Sequence, residues 1–159
     1  MEAVEPVFKS IAVVGTRTAS RSVAIATLLQ DCIARHGWTE RLSVSVAGWG
    51  AGAGDADATD IGMLAHDGYE PIALWCSDVV ADHAVLADAD CFVVASEEDA
   101  YVFLEWPEAE GKHILALTDY LDEAAWAIRA ADSGFRDFMD EVTDAVPSVL
   151  RELVARPGY

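Results

Sequence analysis

Short apolar runs alternate along the chain with longer stretches of helical period. Residues 10–15 (SIAVVG) are apolar and β-branched, end at a glycine and lead into polar residues, which predicts a buried parallel strand entering a turn. From Ser20 onward Ile25, Leu28, Leu29, Cys32 and Ile33 recur at helical spacing, and Gly37 supplies a stop. Residues 42–48 (LSVSVAG) alternate as a strand does; the Gly- and Ala-rich stretch 48–58 reads as a flexible loop, and a second helix follows over about 58–67. The runs 91–95 (CFVVA) and 114–117 (ILAL) predict two further buried strands.

At the C-terminus Phe135, Phe138, Met139, Val142, Val146, Val149, Leu150 and Leu153 keep a helical period, with Asp132 or Ser133 available as the N-cap. Pro147 interrupts that pattern. It lacks a backbone donor and costs about 3 kcal/mol in a helix interior, so a kink or two abutting helices are expected there.

Four parallel strands joined by helical crossovers predict an α/β fold, a three-layer αβα sandwich. At 159 residues the chain is one domain, residues 1–159, with 1–9 as an N-terminal extension. Its 53% hydrophobic content is ample for one core. Right-handed crossovers place the loops after the strands along one edge, where ligands usually bind.

Charge narrows the partners. Twenty-eight acidic residues against ten Lys and Arg give a formal charge of −18, which opposes nucleic-acid backbones and anionic membranes and favours a protein partner with a basic surface. The acid concentrates in 55–60, 97–100 and 105–110, stretches that read as solvated loops. No apolar run approaches the roughly 18–20 residues of a membrane span, and the first residues carry two glutamates and no cationic region, so the cytoplasm is the expected compartment. Cys32, Cys76 and Cys91 are odd in number and widely spaced, as expected of reduced thiols packed as small hydrophobes. His36, His66, His83 and His113 show no metal-ligand spacing, so neither a metal nor another cofactor is expected.

Candidate chemistry lies in the first strand-to-helix loop: Gly15, Thr16, Arg17, Thr18, Ala19, Ser20, Arg21 and Ser22. Backbone amides at a helix start can converge on an anion, Arg21 offers a guanidinium fork, and the hydroxyls add donors. The loop lacks the lysine of the nucleoside-triphosphate P-loop and is not GxGxxG. An anionic small ligand or a phospho-group is the class such a loop would take.

Residues 12–22 (AVVGTRTASRS) resemble the phosphate loop, C-x5-R-S, of the low-molecular-weight protein tyrosine phosphatases. The resemblance continues through 44–48 (VSVAG), 59–70 (TDIGMLAHDGYE), 90–99 (DCFVVASEED) and the last helix from Phe135. It implies that family's αβα fold. Aligning the arginine on Arg21 and the serine on Ser22 puts Gly15 where the nucleophilic cysteine belongs. The loop asparagine falls near Thr18. The general acid's Asp-Pro-Tyr/Phe segment falls on Trp126, Ala127 and Ile128, so the motif is missing; Asp119, Asp122, Glu123 and Asp132 are the nearest acids, and none inherits the role by alignment.

Without the thiolate no phosphocysteine can form, and an alcohol in the loop has no neighbouring histidine or lysine in the sequence to activate it. The expected function is therefore a pseudophosphatase that binds an anionic group or a partner. The alternative is new acid/base chemistry on a small molecule, in a remodelled pocket whose candidate rim is Trp49, Asp119 and Trp126.

Overall fold

The computed structural model describes residues 9–15, 18–49, 53–78, 87–104, 107, 110–121, 128 and 134–155. Among these residues six strands, β1 (Lys9–Gly15), β2 (Leu42–Gly48), β3 (Gly54–Asp55), β4 (Trp75–Asp78), β5 (Cys91–Val94) and β6 (His113–Ala116), form one sheet in the order β3-β4-β2-β1-β5-β6. The four parallel strands expected from the sequence, β2-β1-β5-β6, make its body. Two short strands extend the β2 edge: β4 runs parallel to β2, and β3 runs antiparallel to β4. The helices given bounds among the described residues are α1 (Ala19–Arg35), α2 (Ala58–His66), α3 (Glu97–Leu104) and α4 (Phe135–Ala155), with a 3-10 turn at Leu117–Tyr120.

Both faces of the sheet are covered, as continuous apolar strands require. On one face Ile11, Val13, Cys91, Val93 and Leu115 pack with α1 and α4; on the other Ala12, Val14, Phe92, Val94 and Ala116 form a smaller cluster that Ala100 of α3 joins. From Ala19 to Leu29 every residue of α1 is buried. Its small residues Ala19, Ser20, Ser22, Ala24 and Ala26 allow that close approach, so the start of α1 is enclosed on several sides.

Three local features depart from the sequence reading. Lys9, counted with the N-terminal extension, opens β1: its N–H donates to Arg41 O at 2.9 Å. Its buried Nζ donates to Leu153 O near the end of α4, where carbonyls lack partners and the helix dipole favours a cation. A single helix runs through Pro147 instead of two abutting ones. Pro147 and Thr143 are both exposed, so the carbonyl deprived of its i+4 donor faces water, while Phe138 to Leu153 pack a continuous face against the core. Finally, β3 lies inside the stretch read as a flexible loop.

Candidate functional site

The candidate loop sits at the corner where β1 ends and α1 begins. Gly15 is the last residue of β1, paired with Gly48, and its carbonyl accepts from Trp49 N–H at 2.9 Å. Thr18 is the N-cap of α1; its hydroxyl oxygen accepts from Arg21 N–H at 3.3 Å, as short polar side chains do at helix starts. Thr16 and Arg17 lie outside the described residues, as do Trp126, Asp122, Glu123, Asp132 and Ser133.

Three side chains at this corner are committed to the interior. Ser22 is buried, and its Oγ lies 1.8 Å from the position a Cβ on Gly15 would take. The hydroxyl thus fills the space in which a cysteine at position 15 would begin. Ser20 is buried where α1 meets α2: its Oγ accepts from Asp57 N–H at 2.7 Å and donates to the Asp60 carboxylate. Arg21, 9% exposed, holds its guanidinium carbon 4.6 Å from the centroid of the Phe138 ring on α4, a cation–π contact inside the protein.

Asp60 on α2 is the titratable group whose behaviour this corner shapes. Burial pushes its carboxyl up, the Ser20 hydrogen bond opposes that, nearby Asp57 adds to it, and the positive field of Arg21 counters it. The sequence offered no signal for Asp60 beyond its place in an acidic run.

Opposite the corner stand Ala95, Asp99, Ile128 and Phe138. Together with Val14, Gly15, Thr18, Arg21, Ser22 and Ile25 they line a cleft with about 10 Å³ of free space, that of one water molecule. Ile128 belongs to the segment on which the general-acid motif would align; it is buried, and its N–H donates to Glu141 Oε1 at 3.0 Å. An apolar side chain therefore lines the corner. Asp99, buried on α3, and Phe138 also line it; the sequence reading had placed Phe138 only in a helical period and had not singled out Asp99.

Of the described members of the candidate rim, Trp49 meets the corner through its backbone N–H on Gly15 O. Trp49 packs against the smaller apolar cluster on the opposite sheet face, and Asp119 is exposed on the 3-10 turn. A larger groove of about 390 Å³ lies elsewhere, between α1 and 70–72, and shares no residue with the corner. Among the described residues no group of His, Cys, Asp and Glu is arranged to hold a metal. Cys76 and Cys91 are buried, which pushes both thiols up to about 11; burial also raises Cys32.

No family model matches the sequence, and no curated protein matches it. Solved structures do match its fold. YfkJ from Bacillus subtilis superimposes with a TM-score of 0.76 at 16% identity, over 95% of this chain and 98% of that one. A product-state mimic of a protein tyrosine phosphatase from Entamoeba histolytica gives 0.75 at 18% identity, over 95% and 99% of the two chains. The low-molecular-weight protein tyrosine phosphatase from T. tengcongensis gives 0.72 at 14% identity, over 91% and 99%. Over 91–95% of its length the chain shares the fold of these structures, low-molecular-weight protein tyrosine phosphatases among them, and fold alone is what identities this low establish.

Proposed function

We propose that this chain is a pseudophosphatase: a low-molecular-weight phosphatase fold that works as a protein-binding module and turns nothing over. One observation carries the reading, the Ser22 hydroxyl standing where the first side-chain atom of a residue-15 nucleophile would be. Covalent phosphoryl transfer needs an accessible nucleophile, an acid for the leaving group, and room for phosphate. Gly15 supplies no nucleophile. Ser20 is buried and its hydroxyl is engaged with Asp57 and Asp60. Ile128 puts an alkyl group among the residues that line the corner, and the space there among the described residues is about 10 Å³.

The same geometry favours a partner over an anionic small ligand. A phospho-group at this corner would meet a guanidinium already packed on the Phe138 ring. New acid/base chemistry has, among the described residues at this corner, only that small space to use. Among the described residues no helix is long and apolar enough to cross a membrane. With Cys32, Cys76 and Cys91 unpaired as free thiols, the cytoplasm is the compartment we assign.

The test is hydrolysis of an aryl phosphate by the purified protein, alongside thermal melting with and without inorganic phosphate. The expected result is no turnover above the Arg21→Met control and no phosphate-dependent rise in melting temperature. Turnover that Arg21→Met abolishes would defeat the proposal. A phosphate-dependent rise that the same variant abolishes would move the function from partner binding to anion binding.

A further inference from the structure

The edge of the sheet beyond β2 carries an apolar pair that the fold does not bury. Leu74 is 65% exposed and Trp75 58%, adjacent residues at the start of β4. Cys76, the next residue, is 1% exposed and packed in the core, so the strand is firmly seated while these two large side chains stay in water. Asp55 on β3 stands directly opposite Trp75 in the antiparallel register. Directly opposed residues share a face with their Cβ atoms about 5 Å apart, so an exposed carboxylate lies beside an exposed indole. Asp57, also exposed, follows two residues on.

We infer that this β3–β4 edge, centred on Trp75, Leu74 and Asp55, docks an extended cationic segment of a partner protein, bearing arginine or lysine interleaved with apolar residues. The inference deepens the partner-binding reading above and rests on it. A tryptophan face attracts a guanidinium or ammonium, a neighbouring carboxylate completes the same cation's contacts, and the leucine offers apolar area. A second copy of the chain is opposed as the occupant, because each copy carries a formal charge of −18. That charge also repels nucleic acid and anionic lipid while steering a basic protein segment toward the edge.

The probe is a short peptide of Arg-Leu-Ser repeats, titrated calorimetrically, with a Glu-Leu-Ser peptide as the counterpart. Saturable binding of the arginine peptide alone is expected, weakened about tenfold or more by Trp75→Ser and by Asp55→Asn. Glu98→Gln on α3, which removes one exposed charge elsewhere, should leave it within about twofold. Because the substituted side chains are exposed, melting temperatures should stay near the parent's. Absence of binding, or equal weakening by Asp55→Asn and Glu98→Gln with Trp75→Ser unchanged, would sink the inference in favour of diffuse attraction. Concentration-dependent dimerisation lost in Trp75→Ser would overturn it in favour of a second copy. Aryl-phosphate turnover with edge binding intact would defeat the inactive-module reading and leave this surface standing; no turnover and no edge binding would do the reverse.

Discussion

Replacing Gly15 with alanine puts a methyl carbon 1.8 Å from Ser22 Oγ and 3.2 Å from Ser22 Cβ. The first distance is far inside van der Waals contact, so Ser22 must turn its hydroxyl away or the strand and helix must separate. Overpacking of this kind costs about 1–3 kcal/mol. Gly15 does not adopt a positive φ, so alanine meets no backbone strain, and the reduced freedom of the unfolded chain returns about 0.4–1 kcal/mol. The net loss should be about 1–2 kcal/mol, or about 2–8 °C in melting temperature for a chain of this size. Ser22→Ala removes the offending oxygen and leaves only the contact at 3.2 Å, so the double variant should recover most of the loss. The assay is a urea-unfolding double-mutant cycle, with an expected coupling of about 1 kcal/mol between the two positions. Costs that simply add, or a Gly15→Ala variant as stable as its parent, would refute the claim that Ser22 occupies the vacated nucleophile space.

Other consequences follow from the same packing. Asp60, whose carboxyl is raised by burial, contributes stability that is present below the usual aspartate range and lost as pH rises through its folded value; Asp60→Asn should therefore lessen that loss in melts across acidic to neutral pH. Asp67, held low by its ion pair with Arg136, acts oppositely, contributing stability above the usual aspartate range that Asp67→Asn should remove. Thr118 Oγ1 is buried without a hydrogen-bond partner among the described residues, so Thr118→Val should stabilise the fold by about 1 kcal/mol in urea titration. Cys76 and Cys91, both raised to about 11, should resist an aromatic disulfide reagent at neutral pH until denaturant is added.

Much of the sheet was legible because its strands announce themselves chemically. Residues 10–15, 91–95 and 114–117 are apolar on both faces, as strands between two helical layers must be, and α1 shows its period from Ile25 to Ile33. The edge was not legible. β3 is two residues long and β4 four, too short for alternation to show, and their pairing depends on contacts across the intervening helix α2. At the corner the sequence marked the right turn but not what fills it. A serine after an arginine reads as a helix start, whereas Ser22 is a packing atom; an arginine reads as a free donor, whereas Arg21 is held over a ring from the far end of the chain. Lys9 misleads for the same reason, since a lysine suggests surface until a helix end supplies its acceptor.

These fillings depend on one another, and that bears on whether the lost chemistry can be recovered by one substitution. A buried guanidinium is costly unless something stabilises it; the Phe138 ring and the nearby Asp60 carboxylate serve that end. Glycine at 15 would leave a void beside α1 were it not for the Ser22 hydroxyl, and a carboxylate at position 128 would be desolvated where isoleucine is at ease. Each position thus suits its neighbours in the inactive arrangement, so Gly15→Cys should introduce a thiol that displaces Ser22, lowers stability, and still finds Arg21 turned to Phe138 and isoleucine at position 128. Aryl-phosphate hydrolysis should stay at background in that variant, with iodoacetate labelling of the new thiol slow. A rapid gain of turnover from Gly15→Cys alone would show that Ser22, Arg21 and Ile128 yield cheaply, and that the corner is an intact cradle lacking only its sulfur.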